Sequence, residues 1–393
     1  MSPRRKRADV VIIGGGAVGA SVLYHLTKLG LRNVLLLEKG ELSSGSTGQS
    51  AAIVRQHYSN DVSIKLVKKS LEMFQSFGEE FGDEKVFNRS GWLFLCPPEA
   101  GHIFEENLNR LKDSGVRTWE IDQAEANEML PGLNYSGVGK IAFEPDSGYA
   151  DPVRMVSALV ARSKEAGAEV LVNTPATGIR TQNGQITAVT TPETEISTRV
   201  VVNAAGPWAK EIGKWTGIDL PLEISREQDV VLRAPPGTFD LKPAISNMVD
   251  RTYLRPLEKG LILVGTGHPK TNDPADPNRF NHNADVSFIE DVTQRLVKRF
   301  PLLAGSSLVS SWAGLYTITP DWSMIIDRAP GMDGMYLAVG GSGHSFKLSP
   351  AIGLCLAEMI IDGKASTVDI AAMRASRFSE NIPLRSTYGG NRG

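Results

Sequence analysis

The run Val10-Val11-Ile12-Ile13 leads straight into Gly14-Gly15-Gly16-Ala17-Val18-Gly19, and a second apolar run, Val34-Leu35-Leu36-Leu37, ends on Glu38. Strand, glycine turn, helix, strand and acid in that order describe a parallel βαβ unit. Gly14 allows the tight turn, Gly16 lets the backbone approach a pyrophosphate, and Gly19 lets the helix lie close on the strand. Val18, Val22, Leu26 and Leu29 recur at helical spacing and give the intervening segment one apolar face. The helix start offers unpaired N–H groups and a positive dipole end to phosphates. Glu38 is placed to accept from ribose hydroxyls, and its charge repels a 2′-phosphate. A glycine-rich structural turn is the other reading; the correct context on both sides favours dinucleotide binding.

The chain has 393 residues, enough to bury a large core and to divide into two domains. A formal net charge of −2 with no long block of like charge argues against a nucleic-acid partner. Arg4-Arg5-Lys6-Arg7 reads as a solvated tail before the first strand. The apolar stretch after it is the glycine motif itself, with no cleavage site of small residues, so it is not a signal peptide. No apolar run is long enough to span a membrane. Cys96 and Cys355 lack metal-type spacing and read as structural thiols of a cytoplasmic protein; no metal site is expected.

Beyond the first βαβ unit, a glycine/serine loop, Ser43 to Gly48, precedes a helix with Val67, Leu71 and Phe74 on one face. Residues about 85–145 lose this pattern and carry short strands such as Gly91-Trp92-Leu93-Phe94-Leu95. Then βα text resumes: Asp151-Pro152 is an N-cap followed by proline at the first helical position. Asn183-Gly184 between apolar runs is a hairpin turn. Val200-Val201-Val202 enters the small-residue turn Asn203-Ala204-Ala205-Gly206-Pro207-Trp208. Residues about 220–310 are irregular again, with a strand at Leu261-Ile262-Leu263-Val264. Met335-Tyr336-Leu337-Ala338-Val339 then opens into Gly340-Gly341-Ser342-Gly343-His344-Ser345-Phe346-Lys347, with a helix expected from about Pro350. A nucleotide domain of three chain segments, a second domain built from the insertions and a cleft between them follow from this alternation.

Taken in order, these pieces resemble the D-amino-acid-oxidase superfamily of flavoproteins, in particular its sarcosine oxidase and glycine oxidase branch and the beta subunits of sarcosine oxidase and proline dehydrogenase. The resemblance spans nearly the whole chain. It rests on the glycine fingerprint, Gly45-Ser46-Thr47-Gly48-Gln49-Ser50, Asn203-Ala204-Ala205-Gly206, Tyr316-Thr317-Ile318-Thr319-Pro320-Asp321, and Gly341 to Lys347. It implies an α/β (α+β overall) fold: a Rossmann-like FAD-binding domain at 1–84, 146–220 and 311–393, with an inserted, mainly antiparallel substrate-binding domain at 85–145 and 221–310. It implies FAD-dependent oxidation of an amino acid, above all an N-methyl or proline-like secondary amine, by hydride transfer to flavin N5 giving an imine. The alternatives are a glycine or D-amino-acid type oxidase releasing hydrogen peroxide, and a flavin-binding subunit inactive without a partner. A partner subunit or a homo-oligomer is compatible with each.

The same resemblance assigns residues. FAD falls to Gly14, Gly16, Ala17, Val18, Gly19, Glu38 and Lys39, to Ser46, Thr47, Gln49, Ser50 and Ala51, to Ala176, Ala205, Gly206, Trp208 and Gly314, and to Gly341, Ser342, Gly343, His344, Ser345, Phe346 and Lys347. Arg55 and Lys347 match the residues that hold the substrate carboxylate, and the planar fork of arginine suits a bidentate grip. Tyr253 and His268 sit where relatives keep residues that orient the amine or take its proton; a buried structural histidine is the other reading of His268. His57 and Tyr58 are expected to face the cleft, while His25 and Trp312 are expected to pack.

Three departures from the family carry expectations. Gly314 stands where some relatives link FAD through cysteine, and Gln49 where others use histidine, so FAD is expected to be non-covalent. Val264 stands where monomeric sarcosine oxidase has an oxygen-activating lysine, which points to an acceptor other than oxygen. The chain stops soon after the last flavin helix, so no folate-binding domain is expected. An NAD-linked dehydrogenase explains the first motif but not Gly341 to Lys347. An aromatic hydroxylase calls for a late Gly-Asp pair followed by Ala-Ala-His, and the sequence has none. A non-catalytic binding module is the third alternative, and the presence of both Arg55 and Lys347 argues against it.

Overall fold

The two apolar runs that open the chain become neighbours in the middle of a sheet. In the computed structural model, which describes residues 6–237, 241–267 and 271–388, Val10–Ile13 pairs in parallel with Val34–Leu37. Every residue of both strands is buried, as a parallel sheet covered on both faces requires. The sheet has six strands in the order Glu169–Leu171, Val34–Leu37, Val10–Ile13, Val200–Asn203, Met335–Val339 and Ile325–Arg328, the last one antiparallel.

Strand periodicity divides the core. Val10, Ile12, Val34 and Leu36 face a layer of helices, Ala17–Lys28, Asp61–Gln75, Pro152–Glu165 and Ser345–Ile361. Val11, Ile13, Leu35 and Leu37 face Ile179, Ile186 and Ile196 of a four-stranded sheet. The Asn183-Gly184 turn in that sheet has positive φ at both residues, 50° and 73°, the geometry of a type I′ hairpin.

Chain from the two irregular regions, with a strand that runs past the second of them to Ile318, builds a sheet of eight strands, ordered Ser307–Ile318, Glu223–Arg233, Leu261–Thr266, Thr252–Pro256, Ala244–Asn247, Trp92–Cys96, Lys140–Glu144 and Trp119–Glu120. Its pairs are antiparallel except where Ala244–Asn247 meets Trp92–Cys96. One face, with Val230, Leu232, Leu254, Ile262 and Val264, packs on Val292 and Leu296 of the helix Val286–Arg299. Period two sends Glu227, Asp229 and Tyr253 to the opposite face, toward the glycine loop.

The last long helix runs Ser345–Ile361 and contains Pro350, so it starts five residues before the proline that the sequence suggests as its beginning. A proline ring blocks the hydrogen bond to the carbonyl four residues back. Here the Phe346 carbonyl accepts instead from Ser349 Oγ at 2.8 Å, and the helix continues. Beyond this helix the chain returns across the molecule. Arg377, fully buried, donates to both carboxylate oxygens of Asp321, at 2.8 and 3.0 Å. Asp321 also accepts from the Leu384 and Ser323 N–H groups. Among the described residues no helix is long and apolar enough to cross a membrane.

Candidate active site

A cavity of about 670 Å3 lies between the parallel sheet and the eight-stranded sheet, within the roughly 300–1,000 Å3 typical of cofactor and small-molecule sites. Its walls come from the start, middle and end of the chain. At the glycine turn, Gly14 has φ +116°, and a Cβ there would lie 2.4 Å from the Ala204 carbonyl oxygen. A Cβ on Gly19 would lie 1.9 Å from the Gly14 oxygen. Gly19 is therefore a packing residue and does not line the cavity. Its role is to bring the helix down onto the turn, as the sequence reading expects. Gly16, Ala17 and Val18 do line it.

Glu38 is fixed by two backbone donors: its carboxylate accepts from Gly15 N–H at 2.7 Å and Gly40 N–H at 2.8 Å. The ammonium of Lys39 lies 3.2 Å from the centre of the Trp208 ring, and partial burial lowers its pKa. The serine loop is tied to its surroundings. Ala17 N–H donates to Thr47 Oγ1 at 3.0 Å, Ser46 Oγ to the Leu315 carbonyl at 2.7 Å, and Trp312 Nε1 to the Gln49 carbonyl at 3.1 Å. Trp312 thus braces the loop from outside the cavity. Ser43, at φ +64°, lines the cavity, and its hydroxyl is buried without a hydrogen-bond partner. These residues fit a dinucleotide cofactor.

Gln49, Ser50, Ala51, Ala176, Ala205, Gly206 and Gly314 line the same cavity. A Cβ on Gly314 would lie 3.1 Å from the Gln49 side chain, so the two positions at which relatives attach flavin face each other. At the far end Gly340, Ser342 and Gly343 all have positive φ, and the strand turns sharply into the Ser345–Ile361 helix. A Cβ on Gly343 would lie 2.5 Å from the Tyr316 ring. Gly341, Ser342, Gly343, His344, Ser345, Phe346 and Lys347 all line the cavity. Within this turn the Ser342 N–H donates to the Thr317 carbonyl and the His344 N–H to the Gly341 carbonyl, at 2.8 and 2.7 Å.

Arg55 and Lys347 open onto this cavity together. Arg55 donates to the His57 carbonyl and lies over the Tyr58 ring. Lys347 is only 8% exposed, and burial, with the neighbouring Arg55 charge, holds its amine well below the usual lysine range. Among the described residues neither is ion-paired with a carboxylate. Tyr253 lines the cavity and donates to Asp229 at 2.8 Å; burial, then the Asp229 charge, pushes its phenol up. His268 lies outside the described residues.

His57 reaches the cavity wall, against Phe94 and Trp92. Its Nδ1 stands 3.7 Å from the buried Glu144 carboxylate, and burial depresses its pKa despite that carboxylate. Tyr58, expected at the cleft, is buried behind it and bonds His344 Nδ1 at 3.2 Å. His25 packs inside the first helix, where burial lowers its pKa to about 4. Val264 is a correction. It is fully buried on the core face of its strand and not beside the cavity, so a lysine there would enter the core. The expectation about oxygen therefore loses its structural support.

Sequence reasoning missed Glu227, Asp229, Ser43, Trp92 and Phe94 as cavity residues. Glu227 and Asp229 had a usable signal: two acids two residues apart in a strand share one face.

Residues 9–359 match the family described as DAO, FAD dependent oxidoreductase. The chain belongs to this family of FAD-dependent oxidoreductases. It is 26% identical over 367 residues to sarcosine oxidase subunit beta of Rhodobacter capsulatus, covering 91% of this chain and 86% of that one. It is 27% identical over 409 residues to mouse mitochondrial dimethylglycine dehydrogenase, covering 98% of this chain but 47% of the relative. The chain thus spans about half the length of that relative. The crystal structure of L-proline dehydrogenase from P. horikoshii superposes with a TM-score of 0.90 at 30% identity, covering 97% of this chain and 100% of that one.

Proposed function

We propose that this chain binds FAD non-covalently and oxidises the CH–NH bond of an amino acid, a secondary amine of the N-methyl or proline-like kind, to an imine. The observation that carries the reading is the pair Arg55 and Lys347, two basic side chains turned into one cavity, neither of them ion-paired with a carboxylate among the described residues. A substrate carboxylate completes them. The arginine fork grips two oxygens and fixes the orientation of the α carbon. Lys347, depressed by burial and by Arg55, is recharged when the carboxylate arrives. Trp92 and Phe94 exclude water along the adjoining wall, which strengthens both contacts. Bound FAD supplies the two-electron acceptor for the C–H bond.

Non-covalent attachment is supported by Gly314 and Gln49, which offer neither thiol nor imidazole where they meet. Acid precipitation of purified protein releases all flavin to the supernatant; flavin that stays with the pellet refutes this part. In the decisive experiment the yellow protein is mixed without oxygen with N-methylglycine, N,N-dimethylglycine and L-proline, and bleaching is followed. Arg55→Ala retains flavin but weakens substrate binding by about 2–5 kcal/mol. An unchanged Michaelis constant in both Arg55→Ala and Lys347→Ala removes the carboxylate assignment.

A second reading, a subunit inactive alone, is favoured by the R. capsulatus relative being a named subunit. Tight flavin that no amine bleaches until a partner is added supports it. Rapid reoxidation of the reduced protein by oxygen identifies an oxidase; slow reoxidation identifies a dehydrogenase.

A further inference from the structure

One wall of the cavity that holds Arg55 and Lys347 is acidic, and its construction is specific. Asp229, Gly265 and Tyr253 stand in register on three adjacent strands, Asp229 opposite Gly265 and Gly265 opposite Tyr253. The central strand contributes no side chain at that point. A Cβ on Gly265 would lie 2.3 Å from the Tyr253 hydroxyl and 2.4 Å from Asp229 Oδ1. The glycine gap lets Tyr253 reach across a whole strand to donate to Asp229 at 2.8 Å. Glu227 projects from the same face of the same strand, two residues away, and accepts from Ser225 Oγ at 3.0 Å. Asp229 and Glu227 are 5% and 6% exposed, and both line the cavity that holds Arg55 and Lys347.

Asp229 and Glu227 place two carboxylates on one wall of the cavity, a wall that attracts a cation. The same cavity offers cations to an anion at one place and carboxylates to a cation at another, which is the charge pattern of a zwitterion. We infer that Asp229, supported by Glu227, binds the substrate ammonium and accepts its proton. The inference rests on the amino-acid reading above and deepens it. In this step an N–H bond of the ammonium breaks and an O–H bond forms on Asp229. The N–H electron pair stays on nitrogen as the lone pair that the oxidation needs. Tyr253 holds the second function of the carboxylate: its donated hydrogen bond fixes Asp229 in one rotamer.

The groups facing Asp229 are Glu227 on its own strand, Tyr253 and Arg255 from the next-but-one strand, and Tyr316 from the strand on the other side; Arg251 lines the cavity near them. Burial pushes both phenols up, so they stay neutral donors.

The test uses FAD-loaded protein and two probes that cannot be oxidised at the α carbon: 2-aminoisobutyrate, which is a zwitterion without an α hydrogen, and isobutyrate, which lacks the amine. Calorimetric titration of wild type gives tighter binding of the zwitterion, by about tenfold or more for a charge-assisted contact. Asp229→Asn abolishes that preference and leaves isobutyrate affinity within about twofold. In the pH profile of kcat/KM with an oxidisable amine, Asp229→Asn removes the acid limb, whereas Tyr253→Phe keeps it. A structural role for Asp229 would lower both affinities together and leave the limb in place. Equal binding of the two probes by wild type overturns the inference alone. Failure of wild type to bind either probe overturns the carboxylate assignment of Arg55 and Lys347, and the inference with it. The wild-type comparison stands even where a variant fails to fold.

Discussion

At the scale of single residues, the site is governed by groups whose neighbours leave them no alternative. Gly19 is the plainest case. An added methyl would meet the Gly14 oxygen at 1.9 Å, and neither backbone can move without opening the glycine turn. Gly19→Ala is expected to cost about 3 kcal/mol or more and to yield protein without flavin, read from the absorbance of the purified variant. Lys347 gives a second expectation. Its amine is depressed in the free cavity, and an arriving carboxylate raises it again. At a pH between those two values, binding takes up a proton. Titration of isobutyrate in two buffers of different ionisation enthalpy should show that uptake in wild type and lose it in Lys347→Met. Substrate affinity should accordingly fall as pH rises through the value in the complex.

Among the elements, the Asp321–Arg377 pair holds the returning C-terminal segment to the turn after Ser307–Ile318. Burial alone would raise the Asp321 carboxyl, but the Arg377 hydrogen bonds and charge outweigh it, aided by the Leu384 and Ser323 N–H groups, and the pKa is lowered. A lowered folded value means the contribution is complete above the ordinary carboxylate pKa and is lost as pH falls through the folded one. Asp321→Asn strands a fully buried guanidinium and should cost about 3–5 kcal/mol, seen as a fall in Tm. The variant's stability should also vary less with acid pH than wild type's. The sequence makes one half of this pair conspicuous, since Asp321 closes a recognisable motif, and conceals the other. Arg377 lies in an irregular tail where nothing in the spacing marks it. The same asymmetry runs through the site. Glycine turns, apolar runs and motif cations declare themselves locally, so the parallel sheet, Arg55 and Lys347 are readable. Which face of a strand looks into the cavity depends on pairing partners far along the chain. That is why Val264 reads as a cavity position and Asp229 does not read as one.

For the whole molecule, the cavity joins two sheets, and FAD bound there stabilises both by mass action. With free FAD about 1,000-fold above its dissociation constant the gain is roughly 4 kcal/mol. Differential scanning calorimetry of flavin-free and reconstituted protein should show a higher Tm for the latter and protection of the Ser43–Ala52 loop from proteolysis. The walls of that cavity also fix a timetable. Gly14 is made before Lys347, which lies 333 positions later. At about 5–20 residues per second the ribosome needs roughly 17–67 s to pass from one to the other. Throughout that interval the helix Ala17–Lys28 exists without Ser345–Ile361, the helix that covers it in the finished protein. The cavity therefore cannot be completed until Lys347 and the helix it opens have been made. Biosynthesis leaves an apolar helix waiting for its cover, and demand for chaperones and flavin supply falls at the same late moment.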